Sequence, residues 1–427
     1  MEIIIRPTTK VTGKVKLPGD KSISHRLAML GAIASGKTEI SNFASSQDCH
    51  STLSCLHALG VPVEVTADHV TITGRGLDGL QAPHEALDAG NSGTTIRMLS
   101  GLLAGQPFSC TISGDASLQR RPMKRVIDPL FQMGAQIQAR EDNFPPLTIK
   151  GGRLRPIRYV LPVASAQVKS AILLAGLFAK GETSVIEPSR TRNHTELALR
   201  EFGADVKENG LEVSVMGRPY LRGIRAVVPG DLSSAAFFLV AATCVAGSEL
   251  LIDEAGLNCG RRGVIDVLSA MGAEIEIFSQ GQQGGEPIGR LKVQSAQLRG
   301  GKLAGEQIPG IIDEIPILAV LATQTENGLE IRDASELRVK ESDRIRAVVD
   351  NLRGMGASVE EFPDGLFVPG RQKLRGGRIK THGDHRIAMA FSVAGLMADG
   401  ETVIEEAECA AVSFPEFYEK LRSVTIG

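Results

Sequence analysis

The residues best suited to chemistry stand at the starts of apolar, helix-patterned stretches. In Pro18-Gly19-Asp20-Lys21-Ser22-Ile23-Ser24-His25-Arg26 a Gly turn opens such a helix, and Lys21, Ser22 and Arg26 fall early in it. The free N–H groups and dipole of a helix N-terminus favour an anion. Lys and Arg with a hydroxyl between them would add point-charge and bidentate donors. An ordinary capped helix with a solvated basic face accounts for this segment equally well. Gly90-Asn91-Ser92-Gly93-Thr94-Thr95-Ile96-Arg97 packs backbone donors and hydroxyls where glycine would let a ligand approach closely. Ala164-Ser165-Ala166-Gln167-Val168-Lys169 sets hydroxyl and amide donors in the same way. Ile311-Ile312-Asp313-Glu314-Ile315-Pro316 is acidic instead, and its carboxylate is either an N-cap or a general base.

Further charges lie close to these starts. Arg121 precedes Pro122, which biases it to an extended backbone and projects it from a loop. On a helix, Arg338-Val339-Lys340-Glu341-Ser342-Asp343-Arg344 would put Lys340 and Arg344 on one face with Glu341 adjacent. A salt-bridged surface is the blander reading. Gly383-Asp384-His385-Arg386 brings His and Arg to a sixth helix start. Together these groups suit two small, multiply anionic substrates, because each phosphate carries roughly −1.5 to −2 charges.

The elements that must hold them repeat. An apolar residue, Gly, then Ala or Val closes a helix-period stretch at Gly60, Gly134, Gly203, Gly272 and Gly356. Each Gly is expected at C′ with positive φ, leading into paired strands. The polar helix starts recur roughly every 70–80 residues, which defines six strand–helix–strand–helix–strand–strand units. The last unit lacks its final strands, and the N-terminus, Glu2 to Lys16, is expected to supply them. Three units per domain predict two domains, residues 1–20 with 229–427 and residues 21–228, crossing near 19–21 and 229–231. Ligands favour such an interface.

Composition narrows the classes. A chain of 427 residues exceeds one core, and 42% hydrophobic with 22% charged residues is globular. No Trp, three Tyr and a net charge of −2 argue against nucleic acid. Six scattered cysteines without a CxxC pair imply a reduced compartment. Cys49, His50, Cys55 and His57 share one short helix and predict no metal site. The N-terminus lacks a basic n-region, and no apolar run reaches the ~18–20 residues of a membrane span, so a cytoplasmic protein is expected. Gly31-Ala32-Ile33-Ala34-Ser35-Gly36-Lys37-Thr38 spells a P-loop, but a helix precedes it and a strand follows, the reverse of what phosphate binding requires.

The motifs PGDKSISHR, GNSGTTIR, DASLQRRPM, ASAQVKSA, TRNHTE, RVKESDR and GDHRIAMA together resemble the EPSP (5-enolpyruvylshikimate-3-phosphate) synthase family end to end, in its class II-like bacterial spelling. The resemblance implies the two-domain α/β enolpyruvyl transferase fold, an inside-out α/β barrel of six βαβαββ units. It implies transfer of the enolpyruvyl group of phosphoenolpyruvate to the 5-hydroxyl of shikimate 3-phosphate, releasing phosphate, without cofactor or metal; a monomer with no nucleic-acid or membrane partner is expected. By motif, Lys21, Ser22, Arg26, Ser165, Gln167, Arg192, Asp313 and Lys340 would hold shikimate 3-phosphate. Lys21, Gly93, Arg121, Gln167, Arg344 and Arg386 would hold phosphoenolpyruvate. Asp313 would deprotonate the 5-hydroxyl and Glu341 would move the methylene proton, with Lys21 touching both substrates. Domain closure would complete the site. Gly93 stands where some herbicide-tolerant relatives carry Ala, so glyphosate should inhibit.

Three positions depart from the family pattern. Ala410-Ala411-Val412-Ser413-Phe414-Pro415 lacks a substrate-contacting Lys, Glu336 stands for an Asn, and Ala166 stands for a Ser. The rival on the same fold, a UDP-N-acetylglucosamine enolpyruvyl transferase, typically carries a loop Cys where this chain has Ala116. A non-catalytic repeat scaffold would give no reason for unequal polar chemistry at six equivalent helix starts.

Overall fold

The computed structural model describes residues 1–427. The chain forms two compact units, one of residues 1–18, 230–281 and 287–427, the other of residues 19–229 and 282–286. The first is called unit one and the second unit two.

Each unit repeats one motif three times. In the clearest copy, strand Arg158–Val160 runs parallel to Glu182–Ile186, which pairs antiparallel with Glu212–Met216, itself in a hairpin with Val206–Asn209. A parallel pair needs a crossover, and a helix supplies it. Six helices hold this place: α1 (Lys21–Ile33), α2 (Gly93–Ala104) and α3 (Ala166–Gly176) in unit two, and α4 (Leu232–Cys244), α5 (Ile315–Ala322) and α6 (His385–Leu396) in unit one; α2, α3, α5 and α6 join the two strands of a parallel pair, whereas the strands before α1 and α4 pair in the other unit. Their burial explains their composition. Every residue of α6 and all of α4 but its last are buried, the signature of a helix enclosed on all sides. The sheets lie around them, and each unit has its own apolar core.

Side-chain caps start five of these helices. Asp20, Ser92, Ser165, Asp231 and Asp384 each accept a backbone N–H of the first turn, satisfying donors that the helix itself cannot. The closing glycines Gly60, Gly134, Gly203, Gly272 and Gly356 all have positive φ, as expected for C′ residues. The P-loop spelling falls on the end of α1 and on strand Ser35–Ser41, in helix-to-strand order.

The ends of each unit are stitched circularly. Arg225–Val227, the last strand of unit two, lies parallel to Ser35–Ser41 and completes the first sheet of that unit. In unit one only Ile3–Ile5 joins the sixth sheet, beside Thr402–Ile404. Lys10–Lys16 runs instead parallel to Glu249–Gly256 in the fourth sheet, where Thr425–Ile426 also pairs with it. The N-terminal segment expected to complete one sheet is therefore divided between two. Arg6-Pro7 separates the strands, and Pro cannot donate to a ladder.

No helix is long and apolar enough to cross a membrane. On helix Gln47–Ala58, Cys49 and Cys55 face inward while His50 and His57 are exposed, so the four do not share a face. Burial pushes the Cys55 thiol up to about 12.

Candidate active site

In unit two the three helix starts converge. The Arg26 guanidinium on α1 donates to Ser170 Oγ on α3 at 2.9 Å, and Arg97 Nη1 on α2 donates to Gln167 Oε1 on α3 at 2.9 Å. Gln167 Nε2 donates in turn to Thr94 Oγ1 at 2.9 Å, which fixes the amide orientation. Lys21 Nζ lies 3.0 Å from Asp48 Oδ2, so this cation is aimed by a neighbouring carboxylate. Ser165 caps α3, and the Ser22 and Arg192 side chains are half-buried. Arg121 has the extended backbone expected before Pro122, yet it is buried rather than solvated. Its Nη2 donates to Asn91 Oδ1 at 2.5 Å and to Ser117 Oγ at 3.2 Å. A Cβ on Gly93 would stand 2.7 Å from Arg97 Nη1 and 3.4 Å from Arg121 Nη1, so this glycine opens the floor between two cations.

A buried hydrogen-bond chain braces these starts. His25 Nδ1 pairs with Thr52 Oγ1 at 2.7 Å, Thr52 with Thr95 Oγ1 at 2.7 Å, and Thr95 with Ser92 Oγ at 2.8 Å. Burial, with Lys21 and Arg26 nearby, holds the His25 pKa well below its usual value. His25 is therefore a neutral structural group at physiological pH.

In unit one the three starts converge on Glu314. It accepts from Ser233 Oγ on α4 and, at 3.4 Å, from Arg386 Nη1 on α6. The N-cap position of α5 is Glu314, which makes no side-chain cap bond. Asp313, just before it, faces three cations: Arg344 Nη1 at 3.7 Å, Lys340 Nζ at 3.9 Å and Arg261 Nη1 at 4.0 Å. Glu341 Oε2 is 2.6 Å from Arg344 Nη2. Asp384, fully buried, holds Arg344 through Nε at 2.9 Å and Nη2 at 3.3 Å, accepts from Ser342 Oγ at 2.9 Å, and caps α6. Burial would lower the Arg344 pKa, but Asp384, Glu341 and Asp313 together hold it above its usual value.

The RVKESDR segment is not helical throughout, contrary to the expected Lys340–Arg344 face. Ser335–Val339 is a 3-10 turn, Lys340 is extended, and the helix begins at Arg344. Asp343 caps that helix by accepting from Arg346 N at 3.0 Å. A cap is non-helical by nature, so the residues before it leave the helix path. Lys340 and Arg344 still meet, but at Asp313 rather than along a helix face.

Sequence reasoning missed Asp48, Arg97, Arg261, Glu314 and Asp384 as members of the site. Arg97 could have been found one turn beyond Gly93, and Asp384 stands inside a singled-out helix start. Arg261 carries no local signal. It is buried, donates to Asp231 Oδ1 at 3.0 Å and reaches Asp313 only through the fold. Glu336, at the position of the family Asn, lies on the 3-10 turn before Lys340, and the lysine-free segment begins in the last residues of another 3-10 turn, Ala407–Val412.

Central helices whose starts gather cations about accessible carboxylates define an α/β enzyme acting on small anions. The profile of the EPSP synthase (3-phosphoshikimate 1-carboxyvinyltransferase) family matches residues 5–421. The 3-phosphoshikimate 1-carboxyvinyltransferase of Solibacter usitatus is 55% identical over 99% of this chain and 100% of its own length. The EPSP synthase structure from Acinetobacter baumannii superposes with a TM-score of 0.88 at 45% identity, covering 100% of this chain and 98% of that one. The enolpyruvyl transferase NikO from Streptomyces tendae shares the fold, with a TM-score of 0.81 at 18% identity over 99% of this chain and 97% of its own. The chain belongs to the EPSP synthase family.

Proposed function

We propose that this chain transfers the enolpyruvyl group of phosphoenolpyruvate to the 5-hydroxyl of shikimate 3-phosphate and releases phosphate. The observation that carries the residue roles is the Asp313 carboxylate facing three cations, with Glu341 on one of them. Asp313 takes the proton of the 5-hydroxyl as its oxygen bonds to C2 of phosphoenolpyruvate. Glu341 delivers a proton to the methylene carbon, giving a tetrahedral intermediate that still carries phosphate. In the second half Glu341 removes a proton from the new methyl group, the double bond returns, and the C2–O bond to phosphate breaks. Glu341 ends as it began, and the hydroxyl proton leaves with the phosphate. Lys340, Arg344 and Arg386 offset the negative charge on the intermediate and the leaving group. In unit two, Lys21, Ser22, Arg26, Ser165, Gln167 and Arg192 hold shikimate 3-phosphate, while Lys21, Gly93, Arg121 and Gln167 serve phosphoenolpyruvate.

The test is phosphate release that requires both substrates; activity on a UDP-sugar instead would assign the chain to the rival reaction. Asp313→Ala and Glu341→Ala should each lower kcat by about 10²–10⁴-fold with the far-ultraviolet circular dichroism unchanged. Turnover near that of the unaltered protein removes the residue from its role.

A further inference from the structure

Arg26 and Arg344 are both buried arginines assigned to anionic ligands, but the fold holds them in opposite ways. Arg344 is clamped by the carboxylates of Asp384 and Glu341. Arg26 makes three hydrogen bonds within the protein, all to neutral oxygen. Its Nε donates to Thr195 Oγ1 at 2.6 Å, Nη2 to Ser170 Oγ at 2.9 Å and Nη1 to Ser22 O at 2.8 Å.

The protons of the two hydroxyls are accounted for. Ser170 Oγ donates to Ala166 O at 2.6 Å, so across its 2.6 Å contact with Thr195 Oγ1 it must accept. Thr195 thus spends its one proton on Ser170, and both oxygens are left to accept from Arg26. This chain of hydroxyls orients one side of the guanidinium without cancelling its charge. Other N–H groups of the fork remain for a ligand. Burial, only partly offset by Glu196 and Asp20, pushes the Arg26 pKa down to about 10, as expected of a cation short of an immediate counter-anion.

The platform beneath is rigid. Thr195 lies on helix His194–Glu201 and Ser170 on α3. Lys169 Nζ ties the two elements, at 2.6 Å from Glu196 Oε1 and 2.9 Å from Glu187 Oε2, with all three side chains buried.

We propose that Thr195 and Ser170 are positioning residues that aim Arg26 at an anionic group of shikimate 3-phosphate while keeping its charge available to that group. This inference rests on the functional reading above. A carboxylate in either position would align the guanidinium equally well but would compete with the ligand for it.

Thr195→Val keeps the shape and removes the hydroxyl. It should raise both the Kd for shikimate 3-phosphate, measured calorimetrically without phosphoenolpyruvate, and its KM by about 10–100-fold, the loss of one hydrogen bond to a charged group. The KM for phosphoenolpyruvate should stay within about twofold, and Thr195→Ser should restore binding. Ser170→Ala should reproduce the selective defect if Thr195→Val folds poorly. An unchanged Kd for shikimate 3-phosphate, equal defects toward both substrates, or no rescue by Ser would each overturn the assignment. An unaltered protein that binds shikimate 3-phosphate yet releases no phosphate would refute the activity and leave this inference standing.

Discussion

Replacing Gly93 by alanine sets backbone effects against site effects, and the geometry decides which wins. Gly93 is the first residue of α2 and its φ lies outside the left-handed region, so alanine meets no backbone strain. Helix propensity would even favour it by up to about 1 kcal/mol. The new Cβ, however, would stand 2.7 Å from Arg97 Nη1. Restoring an ordinary contact of ~3.5 Å requires the guanidinium to retreat by about 0.8 Å. That retreat is enough to carry the 2.9 Å Arg97–Gln167 bond beyond the ~3.2 Å range of a good hydrogen bond. A hydrogen bond to a charged group is worth about 1.5–3 kcal/mol, or roughly 10–100-fold in affinity. Gly93→Ala is therefore expected to raise the KM for phosphoenolpyruvate about tenfold or more, to weaken inhibition by glyphosate, and to cost about 1–2 kcal/mol of urea stability, the lost bond less the gain in helix propensity. Steady-state kinetics beside urea denaturation make the test. An unchanged KM would show that Arg97 swings aside without cost, and a loss of several kcal/mol would show that glycine is needed for the backbone; either result refutes the reasoning.

Other consequences can be measured on single variants. His25 is held neutral by burial and by Lys21 and Arg26, against the opposing pull of Asp20. Its folded pKa is lowered, so below its unfolded value of 6.5 the unfolded chain binds a proton that the folded chain does not, and stability falls as pH falls. Between pH ~7.5 and ~5.5 this costs about 1.4 kcal/mol, so His25→Gln should show a correspondingly shallower loss in urea titrations; parallel curves would exclude His25 as the source. Lys169→Met should destabilise by about 3–5 kcal/mol because it strands the buried carboxylates Glu187 and Glu196. A shift below about 1 kcal/mol would mean those carboxylates find other partners. Lys21→Ala should raise the KM of both substrates, and normal kinetics would remove Lys21 from the site.

Much of this protein could be read from short stretches of its sequence. Caps, C′ glycines and hairpins are local, since a Ser at N-cap or a Gly at positive φ answers to its immediate neighbours, so the six-unit repeat could be counted directly. The residues proposed to meet substrate could be singled out for the same reason, because most of them decorate helix starts that the repeat itself exposes. RVKESDR shows the limit of that reading. Its charge spacing suits a helix, but the cap at Asp343 and the bond from Ser342 to Asp384 hold the segment off the helix path.

How each charge is balanced depends instead on long-range packing. Ser233 meets Glu314 across 81 residues of chain, and Arg26 meets Thr195 across 169. Neither pairing leaves a periodicity or spacing in the sequence. Whether a buried arginine is neutralised by carboxylates, as Arg344 is, or held by hydroxyls with its charge to spare, as Arg26 is, depends on which distant helix is packed against it. Local propensity determines the scaffold and the list of chemical groups. Packing determines their partners, and with them the work each group can do.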